Sequence, residues 1–434
     1  MAWTAFILLT ATLFIRPSEL IPEVEGWQIY ELLIIGCLAL SWPLIIEQLS
    51  PAKLAERPIS ACVVGLLPAV VLSHLAHFFL WGARVSGQEF GKVVLYYLLV
   101  VSLVDTPARL QSLLRWLVLF IVVSVSLVLL EYHGWVDIAA IDAHPQKQVD
   151  VETGEVTTIP RIRSTGIFRD PNDLSMILLV GMVLCAYGAG GGLGWLPRPV
   201  WLAPLALCGY GLVLTRSRGG FVALIAATLS LCVSRFGWRR SLPLIVLGVP
   251  LIVAIFAGRM TDLSTSEGTG QSRIQLWSIG LALLKQFPVF GSGYATYVSH
   301  AGQVAHNSFV HCFAELGIVG GGLFLGAFGI ALWELRRMGS SSLEIADPDL
   351  RRMRPYLLAM LVTYAASMLS LSRAYIAPTY LILGLATAYL GIMSAEPRPE
   401  LLRFDRRLLS RLALASVAFL ACTYVFIRLF ARWG

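Results

Sequence analysis

The chain has 434 residues, of which 57% are hydrophobic and only 14% are charged. Soluble domains are typically about 25% charged, so 33 basic and 26 acidic side chains are too few to solvate a water-soluble protein of this size. This composition excludes a soluble enzyme, a disordered chain and a disulfide-stapled secreted module. It predicts an all-α polytopic membrane protein.

Apolar segments that could cross a bilayer follow one another along the whole chain. The candidate spans are 2–15, 27–48, 59–80, 93–105, 112–131, 172–190, 199–215, 219–234, 241–257, 307–334, 355–372, 375–394 and 411–430. The first lacks a basic leading region and a small-residue cleavage site, so we expect it to be a retained helix. Because the first and fourth are short, the sequence predicts 12 or 13 transmembrane helices in a single integral-membrane domain, residues 1–434.

Basic residues are distributed unevenly between the two sets of loops. A cytoplasmic N-terminus places 18 Lys and Arg in short cytoplasmic loops, as the positive-inside rule requires. Two larger segments, about 132–171 and 258–306, then lie outside with the turn at 215–220. The positive-inside rule does not explain the 15 basic residues that remain on that side. We therefore interpret the net charge of +7 as an indication that the protein binds an anionic ligand there, and not nucleic acid.

A histidine precedes the long apolar segment that follows the second outer loop. Imidazole suits proton removal from a hydroxyl near neutral pH, so His306 is a candidate general base. A histidine that only bonds a loop carbonyl at the interface is the alternative. Asn307 is a candidate cap and substrate contact. Glu315, two and a half turns deeper, would orient His306 or nearby backbone, contact substrate, or pair with an arginine.

Arginines on the outer side are candidate phosphate ligands, because a guanidinium stays charged and presents a planar fork of donors. Arg216 and Arg218 lie at a glycine-containing turn. Phosphate binding would explain them, and long side chains that extend to the membrane–water interface would explain them equally well. Arg273 begins an amphipathic pattern that predicts a helix ended by Pro288. Arg161, Arg163 and Arg169 end the first outer segment, before a Pro-Asn-Asp sequence (171–173) that we expect only to cap a helix.

No cofactor and no metal ion are predicted. The sequence contains no phosphate-binding loop, dinucleotide fingerprint or Ser-His-Asp arrangement. Asp170, Asp173, Asp262 and Glu267 are too scattered to form an obvious divalent-cation site.

These residues resemble the bacterial O-antigen ligases and the related O-antigen polymerases, which are integral-membrane glycosyltransferases. Three blocks carry the resemblance in the order typical of the family and span about 105 residues: Ser217-Arg218-Gly219-Gly220; Arg273, Trp277, Pro288 and Gly291-Ser292-Gly293; and His306-Asn307, Glu315, Gly317 and Gly320.

The resemblance implies a C-type glycosyltransferase fold in the bacterial inner membrane, with the active site facing the periplasm. It implies metal-independent, inverting transfer of a glycan from undecaprenyl diphosphate to a sugar hydroxyl of lipid A–core. His306 would be the catalytic base, and Arg218 and Arg273 would bind the diphosphate. Arg216 replaces the small residue usual in the family, and Arg163 and Arg169 are further candidate phosphate contacts.

Other functions remain open at this point. An O-antigen or exopolysaccharide polymerase and a protein O-glycosylating ligase would use the same donor with another acceptor. A flippase for a lipid-linked sugar belongs to a different class, and would favour internal repeats and broken helices near the midplane. No repeat is visible in the sequence.

Overall fold

The computed structural model describes residues 1–141, 144–149, 156–194, 196–260, 268–340, 343–397 and 399–431. It is 78% helical, which confirms the prediction of an all-α polytopic membrane protein. Two small antiparallel pairs of strands accompany the helices. They are β1 (His144–Val149) with β2 (Val156–Arg161), and β3 (Glu344–Ile345) with β4 (Ala395–Glu396).

Five of the eight helices in the N-terminal half begin with a proline. Proline occupies the start of α5, α7 and α8, where the missing N–H has no intrahelical partner to lose. The helices are α1 (Ala2–Phe14), α2 (Pro17–Leu20), α3 (Ile29–Gln48), α4 (Pro51–Glu56), α5 (Pro58–Leu75), α6 (Leu80–Leu103), α7 (Pro107–Tyr132) and α8 (Pro171–Ala189).

Side-chain caps precede four of the helices in the C-terminal half: Ser217 before α10, Asn307 before α14, Asp347 before α15 and Asp405 before α17. These helices are α9 (Leu202–Thr215), α10 (Arg218–Phe236), α11 (Trp238–Met260), α12 (Gly268–Gln286), α13 (Tyr297–Ala301), α14 (Ser308–Arg337), α15 (Pro348–Met368), α16 (Ala377–Ile392) and α17 (Arg406–Phe430).

Each of the thirteen predicted spans coincides with a helix. By length and apolarity alone, eight helices in the described part of the chain could cross a membrane, and two apolar helices are shorter. The main difference in boundaries concerns α6, which begins at Leu80 although the apolar segment begins at 93. Its first half carries charges that interrupt the apolar pattern, and Lys92 pairs there with Glu89 and Glu31 at 3.0 and 3.5 Å.

Two opposite faces of the bundle are defined by the contacts between helix ends. At one face, the N-termini of α8, α10 and α14 meet the loop between α15 and α16. We call this the site face. At the other face, the C-termini of α10 and α14 meet the start of α15. The buried core lies between these two faces. Helix α17 lies at the edge of the bundle and exposes Leu414, Val417 and Leu429.

Helix α14 breaks at Gly317, where φ is 64° and ψ is −165°. Residues 288–293 dock into the break and satisfy the backbone groups that the helix leaves free. The amides of Ser292 and Gly293 donate to the carbonyls of Ala314 and Glu315 at 3.0 and 3.1 Å, and the amide of Ile318 donates to a carbonyl of that segment at 2.9 Å. The break therefore fixes the segment that precedes His306 against α14.

We expect Gly317→Ala to lower the free energy of unfolding by about 3 kcal/mol or more, because only glycine readily adopts this backbone conformation. An added Cβ would also lie 2.3 Å from the carbonyl oxygen of Val289. Gly329→Ala in the same helix is the matched control, since a Cβ there meets nothing within 4 Å. That change should be neutral or stabilising by about 0.5–1 kcal/mol. Thermal unfolding in detergent distinguishes the two, and equal melting temperatures would contradict the role of the break.

Candidate active site

His306 lies at the mouth of α14 and is held in an uncommon backbone conformation, with φ at 49°. Asn307 caps the helix, because its Oδ1 accepts from the amides of Phe309 and Val310 at 3.1 Å each. On the other side, the indole Nε1 of Trp277 donates to the carbonyl of Ala305 at 2.9 Å. The residues on both sides of His306 are thus anchored, while its own half-buried ring remains partly accessible.

The arginine turn between α9 and α10 is fastened to the start of α8. Arg216 ends α9 with a φ of 48°. Ser217 caps α10 and donates its hydroxyl to Asn172 Oδ1 at 2.8 Å. Arg161 donates to that same oxygen at 3.2 Å and to the carbonyl of Thr215 at 2.7 Å. The Pro-Asn-Asp sequence therefore does more than cap a helix, since its asparagine joins the turn to the end of β2.

Arg273 lies on α12, which confirms the helix predicted before Pro288. Burial lowers the pKa of Arg273, and the positive charge of Arg218 lowers it further against the opposing effect of Asp170. The pKa of Arg161 is also lowered, first by burial, and then by Arg216, Arg218 and Arg273. Such mutual effects require the guanidinium groups of the turn, of β2 and of α12 to lie near one another.

A further arginine, in the loop between α15 and α16, completes the group. Arg373 forms a bidentate ion pair with Asp173, whose side chain is only 1% exposed. The backbone amide of Arg373 donates to Ser308 Oγ at 2.8 Å, next to the cap of α14. No local pattern in the sequence singles out Arg373. The available signal was an aspartate inside a predicted span, since a carboxylate there needs a partner. We call Arg161, Arg216, Arg218, Arg273 and Arg373 the arginine cluster.

Arg373→Ala should destabilise the protein by about 3–5 kcal/mol, because it leaves the carboxylate of Asp173 buried without its ion pair. Arg169→Ala is the matched control. Arg169 is exposed and pairs with Glu19 at 3.2 Å, so its loss should cost less than about 1 kcal/mol. The melting temperatures of the two purified variants test this difference, and a similarly small shift in both would contradict it.

Two members of the arginine cluster act electrostatically on His306. Burial lowers the pKa of His306, and the positive charges of Arg273 and Arg373 lower it further, whereas Asp170 opposes them. The lowered pKa favours the neutral imidazole, which is the form that can accept a proton. Three helix N-termini, those of α8, α10 and α14, also converge on this face and add partial positive charge. The arrangement combines a candidate base with positive charge that would favour an anion.

Activity that depends on neutral His306 should rise with pH through a pKa below the ordinary histidine value of about 6.5 and then stay level. The sign follows from the lowered pKa, because protonation removes the base only at acidic pH. Initial rates between pH 5 and pH 9 measure this dependence. A rate that still rises between pH 7 and pH 9 would contradict a neutral His306.

Glu315 and His311 lie deeper in α14, where Glu315 binds backbone amides of the segment that precedes His306. Both carboxylate oxygens of the fully buried Glu315 have protein partners: one accepts from the amide of Ala295 at 2.9 Å, and the other from that of Tyr297 at 2.8 Å. His311 Nε2 lies 3.1 Å from the second oxygen, and its ring stacks on Tyr297. Of the alternatives predicted for Glu315, these contacts fit the one in which it orients nearby backbone.

The two remaining sequence candidates have other surroundings. Arg169 is exposed and pairs with Glu19, as described above. Arg163 lines a cavity of about 350 Å³ together with Glu131 and Tyr132. The arginines whose charges act on Arg161, Arg273 or His306 are Arg216, Arg218, Arg273 and Arg373, so Arg163 and Arg169 are not counted in the arginine cluster.

Metal coordination requires several ligands close together. No group of three or more His, Cys, Asp and Glu side chains that could hold a metal ion occurs within the described ranges. Asp262 and Glu267, two of the scattered acidic residues of the outer segments, lie outside those ranges.

Comparison with known proteins identifies the segment that carries most of the candidate site. Residues 203–325 match the family model described as O-antigen ligase. No curated protein matches the chain. The O-antigen ligase match contains Arg216, Arg218, Arg273 and His306, and it confirms the family resemblance of this segment. Arg161, Asp173 and Arg373 lie outside the match. The charged groups of the candidate site therefore come from the matched segment and from the parts of the chain on both sides of it.

Proposed function

We propose that this protein is an O-antigen ligase that transfers a glycan from undecaprenyl diphosphate to a sugar hydroxyl of lipid A–core. The match to the O-antigen ligase family supports a lipid-linked glycan as substrate and a ligase or polymerase type of reaction. The observation that carries the proposal is the half-buried His306 at the mouth of α14, whose pKa is lowered by burial and by the charges of Arg273 and Arg373. Transfer from a diphosphate needs both of these features, a base and a place for negative charge.

In the proposed reaction, His306 removes the proton of the acceptor hydroxyl as its oxygen attacks the anomeric carbon. The bond between that carbon and the diphosphate oxygen breaks on the opposite face, which inverts the anomeric centre. The leaving diphosphate gains negative charge. Arg218 and Arg273 stabilise this charge more strongly in the transition state than in the substrate, and that difference lowers the barrier.

Arg161 and Arg373 are positioning residues and secondary sources of positive charge in this proposal. Their guanidinium groups are already engaged, Arg161 with Thr215 and Asn172 and Arg373 with Asp173. Arg216 is exposed at the turn and is a further phosphate contact. Positive charge from these side chains is consistent with the metal-independent chemistry that the family resemblance implies.

We further propose that the protein lies in the bacterial inner membrane with its N-terminus in the cytoplasm and the site face in the periplasm. The short loops with 18 Lys and Arg support this orientation. The polyprenyl chain would approach from the bilayer, and surrounding membrane lipid would solvate it. The C-type glycosyltransferase fold implied by the resemblance is part of the same proposal.

Lipopolysaccharide from a deletion strain tests the choice of acceptor. A ligase predicts unmodified lipid A–core with glycan accumulating on undecaprenyl diphosphate, and plasmid-borne protein should restore the modified lipopolysaccharide. Core capped with a single repeat unit would point instead to a polymerase. Unchanged lipopolysaccharide with a missing glycoprotein would point to a protein O-glycosylating ligase. Glycan that is trapped on the cytoplasmic side would point to a flippase.

A further inference from the structure

A groove lies at the face of the bundle opposite His306. It is bounded by α10, α14 and α15 and has a cavity volume of about 940 Å³. A second cavity of about 320 Å³ adjoins it, since Ser234, Gly339, Ser340 and Arg354 line both. A 30-residue helix such as α14 is about 45 Å long, so this groove is far from the site face.

Arg354 stands at the junction of the two cavities and is only 9% exposed. Its guanidinium donates to the carbonyls of Leu335 and Ser234 at 3.1 and 3.2 Å. No carboxylate in the described part of the chain forms an ion pair with it. A buried charge is normally compensated by an opposite charge, so this cation lacks its expected counter-ion.

The rest of the groove has two different ends. Near Arg354 it is strongly basic, because Arg336 and Arg337 also line it and no acidic residue does. Arg337 contacts Glu334, whereas Arg336 is exposed and forms no ion pair with any described residue. Away from the arginines the lining is apolar, and it consists of Val233, Leu332, Leu358 and Val362.

Two tryptophans mark the depth of the groove in the membrane. Trp238 and Trp333 both line it, and they are 65% and 59% exposed. Exposed indole rings are enriched where the headgroups of lipids meet their acyl chains. The arginines therefore lie at headgroup level, while the apolar lining extends toward the acyl chains.

We propose that this groove binds an anionic phospholipid of the surrounding leaflet. The phosphate contacts Arg354 and Arg336, and one acyl chain lies along Leu332, Leu358 and Val362. Charge complementarity selects an anionic headgroup over a zwitterionic one, since basic pockets between transmembrane helices are typical sites for such lipids. The apolar lining selects a lipid over a free anion. This inference is independent of the function proposed for the site face.

Native mass spectrometry of the purified full-length protein, titrated with phosphatidylglycerol or phosphatidylethanolamine, tests the proposal. We expect the wild type to retain one phosphatidylglycerol at least about tenfold more tightly than phosphatidylethanolamine, and R336Q/R354Q to lose that preference. R406Q/R407Q is the matched control, because both arginines are exposed at the same face and do not line the groove. Its preference should equal that of the wild type.

V362W gives a second test that leaves every arginine intact, and it still decides the question if R336Q/R354Q fails to fold. The larger side chain fills the apolar part of the groove and should weaken phosphatidylglycerol binding at least about tenfold. Equal retention of the two lipids, an equal loss in R406Q/R407Q, or unchanged binding in V362W would overturn the proposal. Displacement of the lipid by millimolar inorganic phosphate would overturn it in favour of a free-anion site.

Discussion

His306→Ala should abolish glycan transfer while leaving insertion and folding intact. A positioned general base contributes about 10²–10⁴-fold to a rate, and His306 at the mouth of α14 has a pKa that burial and the charges of Arg273 and Arg373 lower. The folding of the variant should not suffer, because the backbone around His306 is held by Asn307 and by the bond from Trp277 to Ala305. Initial rates with purified protein and a lipid-linked donor measure the loss.

His300→Ala is the control for this experiment. His300 lies on α13 in the same outer segment and is exposed, so its loss tests the effect of removing a nearby imidazole without removing the base. This variant should keep nearly the wild-type rate. If His306→Ala retained substantial activity at an unchanged melting temperature, His306 would be an interfacial residue and another group would be the base.

Arg218→Lys should reduce turnover by about 10²-fold or more, even though it preserves the charge. A lysine presents a point charge and cannot reproduce the planar fork of donors that contacts two phosphate oxygens at once. Loss of one donor to a developing negative charge typically lowers turnover by about 10²–10³-fold. Because Arg218 is exposed at the first turn of α10, the change should not disturb the packing of the helix.

Arg169→Lys supplies the comparison, since it makes the same chemical change at an exposed arginine that pairs with Glu19. We expect near-wild-type turnover from it. Separate measurement of kcat and KM for the donor shows where the Arg218 interaction acts. A fall in kcat indicates binding of the transition state, whereas a rise in KM alone would indicate uniform binding of the substrate. Near-normal turnover in Arg218→Lys would contradict a role in diphosphate binding.

Local patterns in the sequence predict most of the helical architecture. Long apolar runs, proline at the first helical position and capping side chains act within one or two turns, so they are readable without the fold. The start of α6 was predicted wrongly because the charges around Lys92 lower the mean hydropathy of its first half. Those charges are paired with Glu31 of α3 and with Glu89, and the contact with α3 becomes visible only in the folded bundle.

The candidate site was only half predictable, for a similar reason. Arg218, Arg273 and His306 stand out because each lies at a predicted helix end on the basic outer side. Arg373 and Asp173 are 200 residues apart in sequence, so no local pattern joins them. Asn172 likewise contacts a serine 45 residues away. Tertiary packing brings these groups together, and hydropathy analysis of a single sequence carries no information about that packing.

The most direct test of the proposed function is transfer by the purified protein alone. Wild-type protein in detergent, with undecaprenyl-diphosphate-linked glycan, lipid A–core and a chelator, should form glycosylated lipid A–core. It should release one undecaprenyl diphosphate for each glycan transferred, and His306→Ala should do neither. Activity that requires a sealed membrane or an added metal ion, or an absence of product although the donor binds, would contradict the account.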